Sequence, residues 1–99
     1  MELRQRINAA LKQAMRDKES ERLATLRLIN AAIRDREIAK RAEDGEDAVQ
    51  EAEVLDILSK MVKQRRESVR AYEEAGRLDL AEAEQDEIAV IEEFLPRKL

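Results

Sequence analysis

The sequence predicts an all-α protein, a compact four-helix domain with short connections, and three observations carry that expectation. Apolar residues recur every three or four positions over four long stretches. Two glycines and one proline in 99 residues leave little material for the turns of a sheet protein. Val, Thr, Tyr, Phe and Trp are sparse, whereas Ala, Glu, Lys, Arg and Leu give the balance of a helical chain. A chain of 99 residues reads as one domain with a single modest core.

The first helix is expected over about residues 2–16, with Leu3, Ile7, Ala10, Leu11, Ala14 and Met15 on its apolar face. Asp17 is the expected N-cap of the second helix, residues 18–42, because its carboxylate can accept a free N–H of the first turn. There Leu23, Leu26, Ile29 and Ile33 share one face, and Ala24, Leu28, Ala31 and Ala32 fill much of the rest, as in a central helix. Asn30 and Glu37 fall beside the stripe and each needs a partner if buried. Residues 43–47 read as an acidic connection, with Gly45 suited to a left-handed helix end.

Asp47 and Gln50 read as a capping box for the third helix, residues 48–75, whose stripe is Val54, Leu55, Leu58, Met61, Val62, Val69 and Tyr72. Gly76 stops it. Asp79 and Glu82 read as the next capping box, with the fourth helix over about residues 80–94 and Leu80, Ile88, Ile91, Phe94 and Leu95 inward until Pro96. The short connection makes the third and fourth helices an antiparallel hairpin.

Composition excludes several kinds of chemistry. Without cysteine there is no disulfide, thiolate nucleophile or cysteine-ligated zinc. Without histidine the chain lacks the commonest metal ligand and the commonest acid–base group near neutral pH. Thr25, Ser20, Ser59 and Ser68 are hydroxyls with no histidine to activate them, so no self-contained hydrolytic or redox site, metal or cofactor is expected. No apolar run reaches the roughly 20 residues of a membrane span, and Met1-Glu2-Leu3-Arg4 does not open a secretory leader, so a cytoplasmic chain is expected.

Charge is unevenly spread. Residues 1–41 hold 11 basic against 6 acidic side chains, and residues 42–99 hold 8 against 17. Within the acidic half, residues 60–70 form an island of five basic residues against one acid. The overall charge of −4 and two aromatics argue against strong autonomous nucleic-acid binding, and no DNA partner is expected.

Two charges fall on apolar faces. Arg65 lies between Leu58 and Val69 on the third helix, and Glu84 between Leu80 and Ile91 on the fourth. Folding the hairpin about Gly76 and Arg77 predicts an Arg65–Glu84 ion pair, with Glu87 or Glu37 as the alternative acid. Such a pair either sets helix register or belongs to a charged pocket, and the third reading is that Arg65 snorkels to water. Lys60, Lys63, Arg66 and Arg70 point away from the stripe, as a solvated face or as a phosphate-contacting ridge. Arg27 and Arg34, one heptad apart, either extend that surface or pair with nearby carboxylates. Tyr72 reads as a core-edge residue with a wet hydroxyl, the alternative being a stacking platform for a base.

Arg22-Leu23, Leu26-Arg27, Ala31-Ala32-Ile33 and Glu37-Ile38 match the second-helix pattern of the YqeY-like family, also called the GatB/YqeY domain family. Lys63-Gln64-Arg65-Arg66-Glu67-Ser68, Tyr72, Ala75-Gly76-Arg77, Asp79-Leu80, Glu84, Glu87-Ile88 and Phe94-Leu95-Pro96 match its third and fourth helices in order and spacing. The chain thus resembles that family over essentially its whole length.

The resemblance implies an all-helical domain akin to the tail of the B subunit of glutamine-dependent amidotransferases, which convert misacylated Glu-tRNA or Asp-tRNA. That tail contacts tRNA and carries neither the kinase nor the glutaminase site. The family is grouped by kinship with carbon–nitrogen ligases using glutamine as amido-N donor, and nothing in this chain looks able to bind ATP or activate glutamine. Family members usually continue past the Leu-Pro step into a second small helical domain, so the resemblance implies that residues 1–99 are the N-terminal domain of a longer protein or a naturally short member. The expected role is a non-catalytic module of tRNA metabolism, touching tRNA through Lys60, Lys63, Arg66 and Arg70. The alternative is a protein–protein adaptor in translation.

Overall fold

The computed structural model describes residues 2–45 and 49–96. Four helices follow one another: α1 (Leu3–Arg16), α2 (Ser20–Asp44), α3 (Glu51–Glu74) and α4 (Leu78–Glu92). Helices α3 and α4 form the most extensively packed pair, an antiparallel hairpin, and α2 touches each of the other three. The expected all-α, four-helix architecture is the one present.

The apolar stripes converge on one core. Ile7 of α1, Leu26, Ile29 and Ile33 of α2, Val54 and Leu58 of α3 and Ile91 of α4 are fully buried. Each such side chain contributes roughly 1.5–3 kcal/mol by leaving water. Leu11, Leu23, Leu55, Tyr72 and Leu95 pack half-buried around them. Sequence periodicity overstated burial at the edges: Met15 is 52% exposed and Leu28 46% exposed. Ala24 and Ala31 are exposed too. The second apolar face expected to embed α2 is therefore open along much of its length. Periodicity missed Val49, Thr25 and Ala81, which are buried. The Thr25 hydroxyl is satisfied by donating to the Glu21 carbonyl at 3.3 Å.

Both tight connections are built the same way. At the end of α3, Gly76 takes φ 72°. The Arg77 N–H donates to the Tyr72 carbonyl at 2.8 Å and the Gly76 N–H to the Glu73 carbonyl at 3.1 Å. At the end of α1, Lys18 takes φ 56°. The Glu19 N–H there donates to the Ala14 carbonyl at 3.0 Å and the Lys18 N–H to the Met15 carbonyl at 3.3 Å. Each is a Schellman motif, a left-handed residue that reverses the chain while satisfying carbonyls of the last turn. The longer connection opens with Gly45, also left-handed, whose N–H donates to the Arg41 carbonyl at 2.9 Å.

These turns displace the expected caps. Asp17 ends α1 rather than beginning α2, and its carboxylate accepts from Gln13 Nε2 at 2.9 Å. Glu19 holds the N-cap position of α2. Because only Ala75 to Arg77 separate α3 from α4, α4 starts at Leu78, and Asp79 lies inside its first turn rather than at its cap. The Arg77 guanidinium donates to the Asp79 carboxylate at 3.2 and 3.3 Å. That contact, aided by the N–H groups of Leu80 and Asp79, holds the carboxyl below its ordinary pKa. Gln50 sits at the N-cap of α3 instead of three residues inside it, while its expected partner Asp47 lies outside the described residues. Val49 before that cap and Val54 inside the first turns are both buried in the core, the arrangement of a hydrophobic staple.

Charged side chains tie the helix ends together. Leu3 N–H, at the start of α1, donates to Glu51 Oε1 on α3 at 2.8 Å. Lys40 Nζ on α2 meets Glu53 Oε1 on α3 at 2.9 Å. Beyond the end of α4, Glu93 is gripped by Arg22 of α2, whose Nη2 lies 2.9 Å from Oε1. That carboxylate holds the Arg22 guanidinium above its ordinary pKa. Arg6 of α1 donates to the Glu93 carbonyl at 3.1 Å and stands 5.6 Å from the centre of the Phe94 ring.

Candidate nucleic-acid interface

Helix α3 presents Ser59, Lys63, Arg66 and Arg70 at intervals of four, three and four residues, so the four share one outward face. Opposite them α4 and the turn after it bring Ala89, Glu92, Glu93, Leu95 and Pro96. Between the two runs an open groove of about 1240 Å³, floored in part by Val62. Lys63 and Arg70 are exposed and have no ion-pair partner among the described residues. They stand seven residues apart, about 10.5 Å along the helix axis. Arg66 reaches across the groove to Glu92 Oε2 at 2.7 Å. Glu67 also lines the groove and is exposed, while the Glu93 carboxylate is already held by Arg22. With those pairs neutralised, Lys63 and Arg70 outweigh Glu67 at the groove surface.

The other basic candidates do not line this groove. Lys60 points along α3 to Asp56 Oδ2 at 3.0 Å, a solvent-exposed pair one helical turn long. Arg27 and Arg34 lie exposed on α2, with no ion-pair partner among the described residues. Sequence reasoning missed the contribution of Ser59, Leu95 and Pro96, and above all Glu92. Glu92 is offset by more than a helical turn from the level of Arg66, and only the length of both side chains closes the gap.

Arg65 is part-buried on α3 and pairs with Glu87 rather than Glu84. Arg65 is 15% exposed and its Nε lies 3.1 Å from Glu87 Oε1, whose side chain is 29% exposed. Its Nη1 also donates to the Met61 carbonyl at 3.2 Å. The expected Arg65–Glu84 pair is not formed, because the hairpin register is set by where α4 begins. Arg65 lies nine residues before the end of α3 and Glu87 nine residues after the start of α4, so they face each other. Glu84 falls short of that level by about 4.5 Å. Glu37, the other alternative, is taken by Arg4 of α1, with Nη2–Oε1 at 3.0 Å.

The groove offers three cations and three carboxylates, one hydroxyl and apolar lining, with Lys63 and Arg70 left to meet an anion. Among the described residues no cluster of acidic side chains is arranged to hold a metal. Nor, among the described residues, is any helix long and apolar enough to cross a membrane.

Comparison with known proteins places the chain in a family. The pattern of the YqeY-like protein family matches residues 4–99, and the chain belongs to that family. A protein of Lachancea thermotolerans, altered inheritance of mitochondria protein 41, mitochondrial, is 33% identical over 85 residues, covering 86% of this chain and 43% of that protein. Its counterpart of the same name in Clavispora lusitaniae is 39% identical over 85 residues, covering 86% of this chain and 46% of the relative. An uncharacterised protein of Schizosaccharomyces pombe is 29% identical over 90 residues, covering 91% of this chain and 69% of the relative. The chain spans less than half the length of the two named relatives. Their names place them in mitochondria, which overturns the expectation of a cytoplasmic chain. That expectation weighed only a secretory leader and a membrane span, neither of which bears on mitochondrial import.

Proposed function

We propose that this domain is a non-catalytic helical module of tRNA metabolism that docks on the phosphate backbone of tRNA through the α3 face. The observation that carries the reading is the pair Lys63 and Arg70, exposed, without acidic partners among the described residues, and bordering the open groove. Membership of the YqeY-like family supports a link to the tRNA-contacting tail of glutamine-dependent amidotransferases. The module would contribute binding and orientation, while ligase chemistry would reside elsewhere. Two unpaired cations and no aromatic at the groove favour contact with phosphates over base reading.

The test is a fluorescence-anisotropy titration of the chain with total tRNA at low and at near-physiological salt. Affinity should fall as salt rises. In Lys63→Ala/Arg70→Ala, binding should weaken and the salt slope should drop by about one unit per cation removed. Binding to a translation protein that is insensitive to salt, with no tRNA binding even at low salt, would overturn this reading in favour of an adaptor.

A further inference from the structure

On the opposite side of α4, a second groove separates it from α2. It has a volume of about 410 Å³ and is lined by Ala24, Thr25 and Leu28 from α2 and Ala83 and Val90 from α4, with Glu21 and Arg22 of α2 and Asp86 and Glu87 of α4 also reaching it. Leu28 is 46% exposed at its centre. The apolar surface extends across α2 as Ala24, Ala31 and Ile38, spaced by heptads and all exposed, with Asp35 interrupting it on the groove side.

The two edges of this face carry opposite charge. At 100° per residue, Thr25 turns toward α4 while Arg27 and Arg34 fall on the far side of the Ala24–Ala31–Ile38 strip. Both arginines are exposed, with no ion-pair partner among the described residues. Beyond Ala83 and Val90, the outer edge of α4 carries Glu82 and Asp86, likewise exposed and without such a partner. Its other acids, Asp79 and Glu93, are already engaged by Arg77 and Arg22. The face thus runs from a basic rail through an apolar strip, notched by the exposed acids Glu21 and Asp35, to an acidic rail.

We infer that this α2–α4 face is a self-association surface whose occupant is a second copy of the chain. A two-fold axis running along the groove lays the basic rail of each copy over the acidic rail of the other and brings the two Leu28 strips together. That is the self-complementarity an isologous interface requires. Pairing α2 directly against an antiparallel α2 would instead bring arginine rails together, a repulsive arrangement. The footprint, two helix widths by the length of α4, is about 450 Å². That is short of the roughly 800 Å² per partner of a stable complex, so the association is weak and concentration-dependent.

Sedimentation equilibrium from micromolar to millimolar concentration tests this. The chain should shift from monomer toward dimer as concentration rises. Leu28→Asp should abolish the shift, and circular dichroism should report unchanged helicity because the position is exposed. Arg27→Glu/Arg34→Glu and Glu82→Lys/Asp86→Lys should each weaken association about tenfold or more, and an equimolar mixture of the two should restore it. A chain that stays monomeric throughout, or a dimer indifferent to Leu28→Asp and to both charge reversals, would overturn the inference. A monomer that instead binds an amphipathic Lys/Leu helical peptide, with loss in Leu28→Asp, would overturn it too and assign the groove to a basic partner protein.

Discussion

The two helix pairs close with the same turn made from different residues. The α3–α4 connection puts glycine at the left-handed position, and the α1–α2 connection puts Lys18 there. A left-handed conformation costs an L-residue about 1–2 kcal/mol and glycine almost nothing. Their ion pairs differ as well. Arg65–Glu87 lies mostly buried in the α3–α4 hairpin, whereas Arg4–Glu37, between α1 and α2, is more open, with Arg4 39% exposed. The α3–α4 hairpin is therefore locally relaxed and specified by a buried charge pair. The α1–α2 pair carries local strain, held by packing of Leu3, Ile7 and Ala14 on the core.

The largest expected effect breaks the buried pair. Glu87→Ala leaves Arg65 with only the Met61 carbonyl among the contacts described and should cost about 2–3 kcal/mol in chemical denaturation. Glu84→Ala, in contrast, should cost under about 0.5 kcal/mol. Next in size is Gly76→Ala. A Cβ there meets no atom within 4 Å, so the loss of about 1–2 kcal/mol would come from φ alone. The mirror experiment is Lys18→Gly, which should stabilise by about 0.5–1 kcal/mol, the relieved strain exceeding the added freedom of the unfolded chain. Opposite signs for the two turn variants would sharpen the comparison, and equal signs would end it. As small as Glu84→Ala is Glu37→Ala, at about 0.5 kcal/mol or less, because its pair with Arg4 is shared with solvent. Each value is read from the shift in the denaturation midpoint at constant slope.

Helix existence and the core were legible because burial imposes a period that composition cannot disguise, as Leu26, Ile29 and Ile33 illustrate. Helix ends were not. Asp17 and Asp79 have the side chains of N-caps, but Asp79 compensates the dipole from within a first turn, and Asp17 closes α1 against the dipole preference, its carboxylate held by Gln13. Lys18 gives no signal for a left-handed turn, since nothing in a lysine side chain favours one. Glu84 was favoured because it falls on the apolar stripe of α4, but the residue level with Arg65 in the hairpin is Glu87. The burial of Arg65 was readable from its position on the stripe, while the identity of its acid depended on register. Likewise the basic face of α3 was visible, but its groove was not, because Glu92, Leu95 and Pro96 reach it from a neighbouring helix and the turn beyond.

The hydrogen bond from the Leu3 amide to Glu51 joins residues 48 positions apart in the chain. An amide in the first turn of a helix normally has no internal acceptor and exchanges its proton with solvent almost freely. This one acquires its acceptor only when the start of α3 has docked against the start of α1. Its protection against exchange therefore reports closure of the whole bundle rather than fraying of α1. A proton at the edge of the molecule becomes a gauge of its cooperativity.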